Sequence, residues 1–140
     1  MATWWSDGAP WAVSEQVQIE APLEESFGPV VRVIVGGIAE RADLGFDELD
    51  DLQLGIERLL AEAGPDGRVR LSFELGASGI RTRIGPLREH GLAEALQRAD
   101  RPGELTLRRV LDTVVDSYGV EESADGQITV RLEKLADRGW

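Results

Sequence analysis

Residues 68–84, "RVRLSFELGASGIRTRI", constrain the fold of this chain more than any other stretch. Val69, Leu71 and Phe73 alternate with polar residues, and the alternation resumes at Ile80, Thr82 and Ile84 after the link Gly76-Ala77-Ser78-Gly79. Successive side chains of a strand point to opposite faces, so the pattern describes two half-buried strands joined as a hairpin. A lone hairpin is marginal in water, and its apolar face needs a cover. The rest of the chain must supply that cover.

Two helical patterns precede the hairpin. Residues 23–42 repeat Phe27, Val30, Val31, Ile34, Val35, Ile38 and Ala39 at intervals of three and four, a helix with a wide buried face despite the Gly36-Gly37 pair. Asp43 and Gly45 then form a turn. "FDELDDLQLGIERLLAEAG" sets Phe46, Leu49, Leu52, Gln53, Ile56, Leu59, Leu60 and Ala63 along one face, with acidic residues in its first turns where the helix dipole favours them. Before them, "EQVQIEAP" alternates Val17 and Ile19 as a strand ended by Pro22.

After the hairpin, a short helix is expected around Leu92, Ala95 and Leu96. A longer one is expected over "ELTLRRVLDTVVDSYG". "VEES" and "QITVRLEKL" then form a second strand–turn–strand about Ala124-Asp125-Gly126. This order predicts an α+β, two-layer sandwich, with a mostly antiparallel mixed sheet and the helices packed on one face. Residues 15–135 form the domain, residues 136–140 a tail, and residues 1–14 an arm carrying Trp4, Trp5 and Trp11. Those tryptophans either fold back over the chain's own sheet or anchor a partner.

Composition narrows the function. With 140 residues, 42% apolar and 29% charged, the chain is expected to be one soluble globular domain. It has no cysteine, hence no disulfide framework, thiolate metal site or cysteine nucleophile. No apolar run approaches the roughly 20 residues that cross a bilayer. "MATWWSDGAPW" lacks the basic and apolar regions of a secretory signal. A cytoplasmic location without membrane contact follows as an expectation. The formal charge of −11 argues against a nucleic-acid binder, because affinity for phosphate backbones comes from clustered Lys and Arg. It suits either a solubilising role or a basic protein partner.

The chemistry in view is sparse. His90 is the only histidine, which leaves no multi-histidine metal site, and it reads as a solvent-facing polar residue. The cluster Asp47, Glu48, Asp50 and Asp51 points several ways from one helix and reads as a solvated, capping face without a metal. Neither phosphate-cradling glycine loop of the common nucleotide folds occurs.

The element order, together with "VQIEAP", "VVRVIVGGIAERADLGFDELDDLQLGIE", the hairpin, "LRRVLDTVVDSYGVE" and "GQITVRLEKL", resembles the anti-sigma-factor serine kinases of the GHKL superfamily (histidine-kinase-like ATPases, Bergerat fold) over about residues 15–135. The resemblance implies an ATP–magnesium site built from three boxes. Each departs from the family pattern here. Laying Asp51 on the family's aspartate puts Arg58 where the general-base glutamate belongs and Glu62 where the magnesium-binding asparagine belongs. Sliding by one residue offers Glu57 as the base but Ala61 for the asparagine. The first register is preferred because it aligns Leu54 and Ile56 with the family's apolar positions. The D-x-G-x-G box has no counterpart in "IRTRIGPLREHG". The glycine-rich lid is reduced to Gly103 in "RPGELTLRR", beside Arg101, Arg108 and Arg109. Phosphoryl transfer relies on a metal that bridges and neutralises phosphate oxygens, so these losses imply no kinase activity and no ATP or magnesium cofactor.

The expected function is therefore a degenerate, pseudokinase-like anti-sigma-factor domain. It would work by partner switching between a sigma factor and a STAS-type antagonist in bacterial transcription regulation, and homodimerisation is allowed as in the family. An active serine kinase using Glu57 or Glu62, and a scaffolding domain with no sigma contact, are the alternatives. The helix at 23–42 is the expected interface, through Arg32, Gly36 and Gly37, together with Trp4, Trp5 and Trp11 of the arm. The glycine pair would admit a foreign backbone, or make room for a neighbouring element of the chain itself.

Overall fold

The computed structural model describes residues 13–63, 67–88, 92, 96, 102–103, 106–123 and 126–136. Strand β1 (Val13–Pro22) leads through a 3-10 turn (Glu25–Phe27) into helix α1 (Gly28–Arg41) and helix α2 (Phe46–Ala63). Strands β2 (Arg68–Gly76) and β3 (Gly79–Arg88) form the hairpin, and helix α3 (Leu107–Val114), strand β4 (Ser117–Ser123) and strand β5 (Gln127–Leu135) follow. Leu92 and Leu96, helical and buried, fall where the short helix was expected.

The five strands lie in the order β1-β2-β3-β5-β4. Each of the four pairings is antiparallel, so the expected parallel component of a mixed sheet is not found among the described residues. The reason lies in the connection between β1 and β2. A single crossover helix would deliver a parallel strand. Here α1 and α2 run antiparallel to each other, with Arg32 reaching Asp50 and Glu57. The pair therefore returns the chain to the end where β1 stopped.

One face of the sheet is apolar. Val69, Leu71, Phe73, Leu75, Ile80, Ile84, Ile128, Val130 and Leu132 are all buried, as the alternation predicts, beneath Val31, Val35 and Ile38 of α1, Leu52, Ile56 and Leu59 of α2, and Val110, Leu111 and Val114 of α3. The two-layer α+β architecture stands. The opposite face is polar and laced across its strands: Arg70 donates to Glu20 (2.8 Å), Arg81 to Glu133 (3.1 Å) and Arg83 to Glu121. The Arg70 guanidinium holds the Glu20 carboxyl below its ordinary pKa. In the hairpin, Gly79 has φ +147°, and a β-carbon there would lie 2.1 Å from the Lys134 carbonyl oxygen, which restricts the position to glycine.

Thr82 sits in the centre of the apolar face, fully buried, and its hydroxyl has no hydrogen-bond partner. An unsatisfied buried hydroxyl costs stability that a valine of similar shape avoids. Thr82→Val is expected to raise stability by about 1 kcal/mol, read as a higher urea midpoint; a lower midpoint would mean that the hydroxyl is satisfied.

Three sequence expectations on the helices need correction. The helix expected over residues 104–119 ends at Val114 and leaves residues 117–119 to strand β4. The first helix begins at Gly28, not at residue 23, because Pro29 suits only the first turn and its ring would clash with a helical carbonyl four residues earlier. Phe46 and Val30, placed on buried faces by periodicity, are 84% and 47% exposed. Phe46 opens α2 ahead of Leu49, the first position of that helix to pack on the core. The helix ends are closed by local chemistry. At the end of α1, Asp43 adopts φ +57° while Leu44 N–H and Asp43 N–H donate to the carbonyls of Ala39 and Glu40, a Schellman arrangement. At the start of α2 the Glu48 carboxylate accepts from Gly45 N–H at 2.7 Å, the returning half of a capping box.

Candidate functional site

Helix α2 carries the residues that the sequence singles out, and helical spacing divides them between two sides. Asp51, Gly55, Arg58 and Glu62 follow one another at three and four residues, so they share a face. That face is turned to α3. The Gly55 position approaches Val114 so closely that a β-carbon would lie 3.3 Å from its Cγ2 and 3.5 Å from side-chain carbons of Leu111 and Val115. Lys134 Nζ, on the apolar side of β5, donates to Asp51 Oδ2 at 3.2 Å and to the Val114 carbonyl at 2.9 Å. The ammonium thus joins α2, α3 and β5. It also satisfies a carbonyl that the end of α3 leaves free.

Arg58 is half-buried on this face and its Nε has no hydrogen-bond partner, whereas Glu62 is exposed. A guanidinium and one solvated carboxylate are a poor donor set for a magnesium nucleotide: the first cannot ligate a metal, and the second can ligate one but also repels the phosphates. The carboxylate of Asp51 is committed to Lys134. Among the described residues, no group of three or more Asp, Glu or His side chains is gathered closely enough to hold a metal ion. The ATP–magnesium group implied by the resemblance does not fit the residues present.

The alternative register lies on the other side of α2. Glu57 and Ala61 line a groove of about 400 Å³ with Ala21, Pro22, Leu23, Glu24, Phe27, Gly28, Val31, Leu60 and Val69. The groove is mostly apolar. Glu57 is bonded to Arg32, which also donates to Asp50 at 3.1 Å, so the guanidinium clamps α1 to α2 from outside. These groups are well exposed, and a surface pair of this kind contributes at most about 1 kcal/mol. Beside it, the Gln53 side-chain amide donates to the Arg32 carbonyl at 2.9 Å.

Of the expected interface residues, Arg32 lies in this clamp and Gly36 and Gly37 lie along α1. A β-carbon at Gly36 would meet Gln53 Nε2 at an ordinary 3.8 Å, and one at Gly37 would meet nothing within 4 Å. Neither glycine makes room for a neighbouring element within the described residues. Glycine inside a helix costs roughly 0.5–1 kcal/mol relative to alanine. Gly37→Ala is therefore expected to stabilise the fold by about 0.5–1 kcal/mol, measured as a rise in the urea midpoint; destabilisation would show that the position is packed from within.

Gly103 adopts φ +78° in a turn, with nothing within 4 Å of a β-carbon. Arg109 N–H donates to Thr106 Oγ1 at 3.1 Å, capping α3, and Arg108 lies 3.8 Å from Asp112. Burial, and then the Asp112 carboxylate that accepts from it, push the Tyr118 phenol above its ordinary pKa. Trp4, Trp5, Trp11, His90 and Arg101 lie outside the described residues.

Sequence reasoning missed Lys134 and the groove. The signal for Lys134 was present, since it continues the inward alternation of Ile128, Val130 and Leu132. The groove gave none, because its walls come from three stretches far apart in the chain, residues 21–31, 57–61 and Val69. No helix of the described residues is long and apolar enough to cross a membrane. Comparison with protein-family models and with curated proteins gives no match.

Proposed function

We propose that this chain is a degenerate anti-sigma-factor-like domain of the GHKL type, acting in the cytoplasm by binding protein partners and not by phosphorylating them. One observation carries the reading. The α2 face on which the family would hold its general base and metal ligand carries Arg58 and Glu62 at those positions. The first half of the same face is engaged in an ion pair and packing, with Asp51 on Lys134 and Gly55 against Val114. The element order and the helices on one side of an antiparallel sheet support it as well. An active kinase in the shifted register is disfavoured, since Glu57 is held by Arg32 and Ala61 offers no ligand.

In this reading an acidic domain holds the basic surface of a sigma factor, and a STAS-type antagonist displaces it by competing for the domain. The outward side of α1 is the proposed contact, where Val33 is 75% exposed and Gly37 is uncovered. Co-purification from the native cell, with identification of the bound proteins, tests it. Capture of a sigma factor, released by a STAS protein without ATP, is expected; absence of both partners would remove the reading.

A further inference from the structure

We infer that the groove between the end of β1, the first turn of α1 and the second half of α2 docks a basic amphipathic segment of a protein partner. The inference deepens the partner-binding reading by naming the chemistry of the partner. The groove, about 400 Å³, lies at the lower end of the range for ligand pockets. Leu23, Phe27, Val31 and Leu60 offer it an apolar floor. Among the described residues, the charged groups that line it are the carboxylates of Glu24 and Glu57. Both groups accept hydrogen bonds and donate none. Glu57 already accepts from Arg32 and Glu24 from Ser26 at 3.5 Å, and the remaining lone pairs of the two carboxylates are open to donors that an occupant brings beside its apolar part.

From the groove, the outer stripe of α2 continues toward the start of the helix: Asp50, Leu54, Glu57 and Ala61 recur at three and four residues, and Leu54 is 44% exposed. At 1.5 Å per residue the stripe runs about 16 Å, three helical turns, which suits a peptide segment better than a compact small molecule. Along the stripe and groove lie the carboxylates of Glu24, Asp50 and Glu57, the last two bonded to the guanidinium of Arg32. The surplus is negative, in a chain of net charge −11. An acidic segment is repelled here, and an uncharged apolar one leaves the carboxylates without new partners. A helix with leucines on one side and lysines or arginines flanking them satisfies both requirements.

The probe is a synthetic peptide of about five helical turns, leucine on one face and lysine on the other, titrated calorimetrically into the full chain. Ala61→Trp plugs the groove from an exposed helix position, and Glu57→Gln removes one carboxylate without changing shape. Binding is expected for the unaltered chain, weakened at least about tenfold by Ala61→Trp and about threefold by Glu57→Gln, with the thermal midpoints of both variants near that of the parent. A peptide with serine in place of leucine, or glutamate in place of lysine, is expected not to bind. Binding that survives Ala61→Trp, or that the serine peptide reproduces, would overturn the inference, as would no binding of the leucine–lysine peptide. Failure of the broader reading is separable. If the chain captures a sigma factor and Ala61→Trp leaves that capture intact, only the groove assignment falls; if it captures neither sigma factor nor STAS protein, the peptide titration still judges the groove.

Discussion

Gly55→Leu is expected to destabilise the fold by about 3 kcal/mol. The β-carbon alone would stand 3.3 Å from Val114 and 3.5 Å from Leu111 and Val115, and Leu111 is fully buried. The remaining three carbons of a leucine have no space there, so α2 and α3 must part or the side chain must leave its rotamer. Overpacking of a dense interior costs about 1–3 kcal/mol, and this site lies at the upper end because its neighbours are branched and buried. Gly55→Ala supplies the control. Its contact is tight, but the gain in helix propensity of about 1 kcal/mol offsets it, and near-neutrality is expected. Urea unfolding with an unchanged slope and a lowered midpoint for leucine alone is the expected record. A tolerated leucine would mean that α2 and α3 are not in contact, and that a cleft lies open where a nucleotide would enter.

Asp51→Ala is expected to cost about 2 kcal/mol, more than Lys134→Met at about 1 kcal/mol. The asymmetry follows from burial. The Lys134 side chain is 11% exposed and keeps the Val114 carbonyl as a neutral partner, but without Asp51 its charge has no counter-ion in a largely dry place. Asp51 is 43% exposed and turns to water when Lys134 is removed, while methionine fills the vacated space and leaves only a carbonyl short of a donor. The partial exposure of Asp51 keeps the cost below that of breaking a fully buried pair. The double variant is expected to lose less than the sum of the two, measured as a coupling energy in a mutant cycle. If Asp51→Ala were neutral or stabilising, the residue would be held for something other than packing, as a ligand-binding carboxylate is.

Much of the architecture could be read from short-range pattern. The hairpin was legible because its period of two is unbroken from Val69 to Ile84 around one glycine-bounded link. Helix α2 was legible because its apolar stripe is single and its first turn is acidic. The start of α1 was not, since hydrophobic period alone carries no information about Pro29 and the turn before it. The absence of a parallel pairing was also hidden, because it depends on how α1 and α2 reverse the chain in space. Within the site, the resemblance picked out Asp51, Arg58 and Glu62 on α2, and nothing in the local pattern marked Gly55. What faces them was out of reach: Lys134 lies 83 residues from Asp51, and no local pattern joins the two. Phe46 marks the limit of periodicity at a helix end, where the stripe continues but the core does not.

The central claim is that this domain has exchanged nucleotide chemistry for packing along α2. Isothermal titration of magnesium-ATP into the full chain tests it most directly. No saturable heat is predicted up to roughly 1 mM nucleotide, weaker than about −4 kcal/mol of binding free energy. Micromolar binding, or transfer of phosphate to a STAS protein in the same mixture, would contradict it.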